Sequence, residues 1–118
     1  MAVRALTVID NNLRAIAFQW AGLLQSSLDT GAPFEGGDYA DRSVQLTGTL
    51  GAGGALVLEG SNDGATYTTL TDPQGTPITL DVVGELEQIE EITRFVRPRV
   101  TAGDGTTNLI VWFYGRRL

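Results

Sequence analysis

Along most of the chain, apolar and polar positions alternate with a period of two, the mark of strands with one buried face. Ser43 to Gly51 sets Val44, Leu46 and Leu50 against Gln45, Thr47 and Thr49, which predicts a half-buried strand. Gly51-Ala52-Gly53-Gly54 then turns the chain, and Ala55 to Glu59 runs back as the second arm of a hairpin. Ser61-Asn62-Asp63-Gly64 is a tight turn, because Asn and Asp tolerate positive φ and Gly supplies it freely. A strand over Thr66–Leu70, a turn at Asp72-Pro73-Gln74-Gly75 and a strand over Ile78–Val82 follow. Leu86 to Ile92 reads either as one helical turn or as a strand. Arg94 to Val100 alternates cleanly and sets Phe95 apart from its arginines. Pro98 has no N–H for a ladder, so this strand is expected at a sheet edge or at a bulge. After a turn at Ala102-Gly103-Asp104-Gly105, Asn108 to Gly115 is apolar on both faces. Leu109, Val111 and Phe113 form one face, and Ile110, Trp112 and Tyr114 the other. One face packs inside, and the other is expected to meet a neighbour.

The first 42 residues are less regular. Leu6, Ile9, Leu13, Ile16, Trp20 and Leu23 recur at helical spacing, yet Ile16, Phe18 and Trp20 also alternate as a strand would. Phe and Trp favour strands and the rest of the chain is β, so a strand over 14–20 is the preferred reading. Residues 1–12 show no clear period and end in Asp10-Asn11-Asn12, so they are taken as an N-terminal arm. Residues 25–42 carry turn chemistry throughout and predict a long loop. The whole reads as one all-β domain over 13–118, a single antiparallel β-sandwich or jelly roll of about seven or eight short strands.

Composition narrows the chemistry. The 118 residues include no cysteine and no histidine, and all eight basic residues are arginines. This excludes a disulfide framework, a thiol nucleophile, thiolate zinc sites and the usual imidazole base. Fourteen carboxylates leave a net charge of -6, a poor basis for holding a phosphate backbone, so no nucleic-acid partner is expected. The chain has no apolar run of about 20 residues, so no membrane partner is expected either. The N-terminus lacks the apolar stretch of a secretion signal.

Individual candidates mostly dissolve into local structure. Asp29, Glu35, Asp38 and Asp41 match no calcium-loop spacing and read as a polar loop. Asn62, Asp63 and Asp104 are explained by their turns. Glu90 and Glu91 are adjacent, so on a strand they point to opposite faces and cannot flank one glycosidic bond. The glycines at 51, 53 and 54 are followed by no lysine and no helix, so they make no phosphate loop. Trp20, Trp112, Tyr67 and Tyr114 read chiefly as core, with a protein interface or a sugar platform as the other uses of such aromatics. No enzyme and no cofactor is expected. Arg94, Arg97 and Arg99, then Arg116 and Arg117, cluster as solvated charge or as interface contacts.

Several segments together carry a resemblance. Asp29-Thr30-Gly31-Ala32-Pro33, Asp41 to Thr49, Leu58 to Gly64, Asp72-Pro73-Gln74-Gly75, Arg94-Phe95-Val96-Arg97-Pro98 and Gly103 to Thr107 are the segments concerned. Over about residues 14–116 the chain resembles the head decoration (cement) proteins of tailed bacteriophages. A second, slighter resemblance is to discoidin-type galactose-binding jelly rolls. It rests on the Ser-Asn-Asp-Gly turn, the Arg-Phe-Val-Arg strand and the final apolar strand, but the bracketing cysteines of that pattern are missing.

The first resemblance implies a structural virion protein on the capsid exterior, made in the host cytoplasm. It would bind the major capsid protein and self-associate as a dimer or trimer. The alternative is a carbohydrate- or receptor-binding module of a tail or fibre. The segments expected to reach neighbours are the arm, through Val3, Arg4 and Leu6, and the long loop, through Pro33 and Phe34. Arg97, Arg99, Trp112 and Tyr114 on the last two strands are the remaining expected contacts.

Overall fold

Alternate side chains of β-strands in the middle of each sheet enter one shared core, and this divides the chain into two sheets packed face to face. The computed structural model describes residues 2–117. Twelve strands are present: β1 (Val3–Arg4), β2 (Leu6–Asn11), β3 (Ala15–Leu24), β4 (Thr30–Gly31), β5 (Phe34–Glu35), β6 (Asp41–Thr49), β7 (Ala55–Ser61), β8 (Thr68–Thr69), β9 (Thr79–Leu80), β10 (Leu86–Gln88), β11 (Phe95–Ala102) and β12 (Asn108–Arg116). The larger sheet runs β1-β4-β11-β7-β8, with β5 also on β11 and β9 also on β7. The smaller runs β10-β6-β12-β3-β2. The all-β sandwich expected from the alternation is the observed architecture. Its strands are more numerous than expected, five of them only two residues long, and β1 pairs with β4 in parallel.

Three expectations differ in detail. The stretch around 14–20 is a strand, and it continues to Leu24, because alternation and pairing with β12 prevail over the helical spacing. The 25–42 loop contains β4 and β5, both too short to show a period. Residues 3–11, read as an arm, are strands: β2 pairs with β3, and β1 with β4, so the N-terminal segment stitches one sheet to the other.

The Pro98 strand is central in the larger sheet, not at its edge, and its register shift lies further on, between Val100 and Ala102. Pro98 sits opposite Leu58. Leu58 turns its own N–H and C=O away from β11, toward Ile78 and Leu70. The pair is therefore a non-hydrogen-bonded one, and the proline nitrogen faces the other flank. There β5 covers Phe95 and Val96 while β4 covers Arg99, so the missing donor falls in the gap between them.

The core is aromatic at one end. The Phe18 ring centroid lies 4.4 Å from Phe34, 4.8 Å from Phe113 and 4.9 Å from Trp20. Such pairs add about 0.5–1.5 kcal/mol each beyond area burial. The buried Trp20 indole donates to the Ala32 carbonyl at 2.9 Å, so its polar end is satisfied. Gly31 is forced by this packing, since a Cβ there would lie 2.5 Å from Trp20 Cδ1 and 2.6 Å from Pro98 Cδ.

Candidate interaction faces

The outer face of the smaller sheet is built by β12. Leu109, Val111 and Phe113 are buried, which turns Ile110, Trp112 and Tyr114 outward. Trp112 is flanked by Gln45 on β6 and Gln19 on β3, and Tyr114 by Ser43 and Ala17. Leu86 on β10 stands beside Gln45 and is 63% exposed, and Tyr114 is 51% exposed. The Trp112 indole donates to Thr47 Oγ1 at 2.9 Å, which fixes the ring on the surface. Between Leu86, Trp112 and Tyr114 lies a shallow depression of about 190 Å³. Its lining side chains are uncharged, and the first charges along β12 are the Asp41–Arg116 pair (2.7 Å) at the end of the sheet.

The outer face of the larger sheet is organised around a charge. Glu59 on β7 stands opposite Arg97, with Arg99 two residues along on the same face. Its carboxylate accepts from Arg97 Nε at 2.7 Å and from Arg99 Nε at 3.1 Å, and the residue is only 4% exposed. The Arg97 guanidinium also lies 3.7 Å from the Tyr67 ring centroid, a close cation–π contact. The two arginines thus meet most of their chemistry inside the molecule.

A second buried charge holds the N-terminal segment. Asp29 is fully buried and accepts from Ala2 N–H, Leu24 N–H, the Ser27 hydroxyl and Arg4 Nε, the last at 2.7 Å. Burial alone would push this carboxyl up. The hydrogen bonds from Ser27, Leu24, Arg4 and Ala2 overcome that and hold it at about 2. Strand β1 is therefore latched to the turn that leads into β4.

At one end of the sandwich Arg42 points inward from β6 and is 2% exposed. Its guanidinium donates to the backbone carbonyls of Glu91 and Thr93, tying β6 to the segment before β11. Burial pulls its pKa down to about 10, with the Glu91 charge working the other way. The Glu91 carboxylate accepts from the Thr71 N–H and hydroxyl, and these bonds outweigh burial and lower its pKa.

The residues expected to reach partners are distributed as follows. Trp112 and Tyr114 share the outer face of the smaller sheet. Arg97 and Arg99 share the opposite one, so the two pairs are not brought together. Val3 is 60% exposed, Arg4 is engaged by Asp29, and Leu6 packs partly against the core. Pro33 is exposed, whereas Phe34 turns into the aromatic cluster. Of the loop carboxylates, Asp29 is the latch, Glu35 lies 3.5 Å from Arg94, and Asp41 pairs with Arg116. Among the described residues, no three Asp or Glu side chains converge as metal ligands would. Sequence reasoning passed over Asp29, Arg42 and Glu59 as structural centres. The one available signal was parity, since Glu59 lies on the outward register of its strand while Arg97 and Arg99 lie on that of theirs.

No known protein family matches the sequence, and no curated protein does either. Solved structures do match in fold. The SPBc2 prophage-derived protein YomS overlays with a TM-score of 0.66 at 14% identity, over 92% of this chain and 98% of YomS. A cupin domain from Bordetella pertussis Tohama I overlays at 0.41 and 16% identity, over 96% of this chain and 92% of its own. KdgF from a Halomonas species overlays at 0.45 and 11% identity, over 96% and 78%. The chain thus shares the fold of YomS nearly end to end.

Proposed function

We propose that this chain is a non-catalytic structural protein of a tailed-bacteriophage virion, one that binds the outside of the assembled capsid and stabilises it. The observation that carries the reading is the patch on the outer face of the smaller sheet where Trp112, Tyr114 and Leu86 surround a shallow depression lined by uncharged side chains. Surface aromatics fixed by the fold are the residues that dominate protein contacts. An acidic chain with one uncharged patch can approach another protein there without burying unpaired charge. The sequence resemblance to cement proteins and the fold shared with a prophage-derived protein both support this reading. A protein that binds only the assembled shell stabilises it by mass action, and needs no active site to do so.

The test adds purified protein to heads lacking it and follows binding and heat resistance. Saturable binding with a raised rupture temperature, lost when Trp112 is replaced by Ala, is the expected result. Failure to bind heads, together with glycan binding through Trp112 and Tyr114, would replace this reading with that of a tail or fibre receptor module. Counting copies per virion separates the same readings, because a shell coat is present in far more copies than a tail component.

A further inference from the structure

The edges of the two sheets are unequal. In the larger sheet they are β1, β5, β8 and β9, of two residues each, and on one side of the smaller sheet the edge is β10, of three. Edges that short offer little template for another chain. On the other side β2 runs for six residues, and five of them are exposed. Its inner flank pairs with β3, and among the described residues no backbone hydrogen bond is made on its outer flank. Val8 and Ile9 on this strand are 50% and 53% exposed. Asp10 makes no side-chain ion pair or hydrogen bond among the described residues. A row of free N–H and C=O groups with aliphatic side chains beside it is satisfied by one kind of ligand, another extended strand.

We propose that this strand is β2 of a second copy, paired antiparallel about a two-fold axis at Thr7, so that two five-stranded sheets become one. Every pair within the smaller sheet is already antiparallel, and a two-fold axis continues that pattern. Centring on Thr7 sets Leu6 of each copy opposite Val8 of the other. That covers the exposed valine with a side chain that already touches the core. Arg4 takes no part in this register, because it lies in β1 of the larger sheet, beyond the break at Ala5. Centring on Asp10 would instead place like charges face to face. The bulge between Val8 and Asp10 disrupts the C-terminal half of the strand, and the Thr7 register draws on the other half. Charge also selects the edge. The β10 side of the sheet gathers Asp81, Glu85 and Glu87, where burial and the Glu85 and Asp72 charges push the Glu87 carboxyl up. A second chain of charge -6 is repelled there and meets a single carboxylate at β2.

The experiment uses the free protein, so its failure is separate from failure of the capsid reading. Because the chain has no cysteine, Thr7→Cys introduces the only thiol. Directly opposed residues across an antiparallel pair lie about 4.5–5.5 Å apart, within disulfide reach. Mild oxidation of T7C should give a covalent dimer, while Leu86→Cys on the far edge should form no covalent dimer. In sedimentation, wild type should be a dimer, and Val8→Lys should weaken it about tenfold with an unchanged far-ultraviolet spectrum. Thr7→Arg, at an exposed position on the axis, sets like charges face to face and should weaken it as well, which keeps the proposal testable if V8K folds poorly. A wild-type protein that remains monomeric to about 100 µM, a dimer unaffected by both variants, or crosslinking between T7C and L86C chains in place of T7C with itself, would each overturn it.

Discussion

The two outer faces of this sandwich are made by neighbouring stretches of sequence, β11 and β12, and they behave oppositely. On the larger sheet Arg97 and Arg99 converge on the buried Glu59, and Tyr67 covers one of them. On the smaller sheet Trp112 and Tyr114 stand over glutamine, serine and alanine. The first face is conspicuous in sequence, with three arginines in six residues, and is largely satisfied within the molecule. The second reads as an ordinary apolar strand and is the one left open. An arginine cluster is therefore no measure of a sticky surface until its carboxylate partners have been located. An aromatic residue on the outward register of a central strand has no such internal partner to find.

The strongest way to break the contrast is Glu59→Ala. It leaves two arginines side by side over a half-buried site and should cost about 3 kcal/mol of stability, measured by urea unfolding. Acid acts next, and again on the charged side. Asp29 has its pKa depressed to about 2, so the stability it contributes is present above the ordinary carboxylate range and is lost as pH falls from about 4 through 2. Unfolding compared at pH 5 and pH 2 should show a loss of about 2 kcal/mol from this group, absent in Asp29→Asn. The uncharged patch sharpens the contrast in the other direction. Trp112→Ala should weaken head binding about thirtyfold while shifting the urea midpoint less than Glu59→Ala does. Smallest is the difference within the arginine pair. Arg97→Gln should destabilise by about 1 kcal/mol more than Arg99→Gln, because Arg97 is the less exposed and also stacks on Tyr67. Equal values would remove the stacking contact from the account.

Much of the fold was legible because alternation is a local property. β6, β7, β11 and β12 each carry enough residues to show it. Parity separated the two faces of β12 without saying which enters the core, and Trp112 and Tyr114, read chiefly as core, lie on the outward face. The misread parts are those where few residues carry the signal. Strands β1, β4, β5, β8 and β9 have two residues each, and a two-residue strand has no period. Pro98 pointed to an edge because a proline lacks a donor. The structure shows which flank lacks the partner, and that flank belongs to a central strand.

Period, turn chemistry and composition were sufficient to establish an all-β chain without thiol or imidazole chemistry, with a final strand apolar on both sides. These follow from residues close in sequence, whose spacing alone sets which way they point. The pairing of Glu59 with Arg97 and Arg99, the Asp29 latch on the N-terminal strands and the burial of Arg42 join residues far apart in the chain. Strand order brings them together. Until it is known, a buried ion pair and two solvated charges look the same in sequence, because what separates them is the water removed when the sheets close.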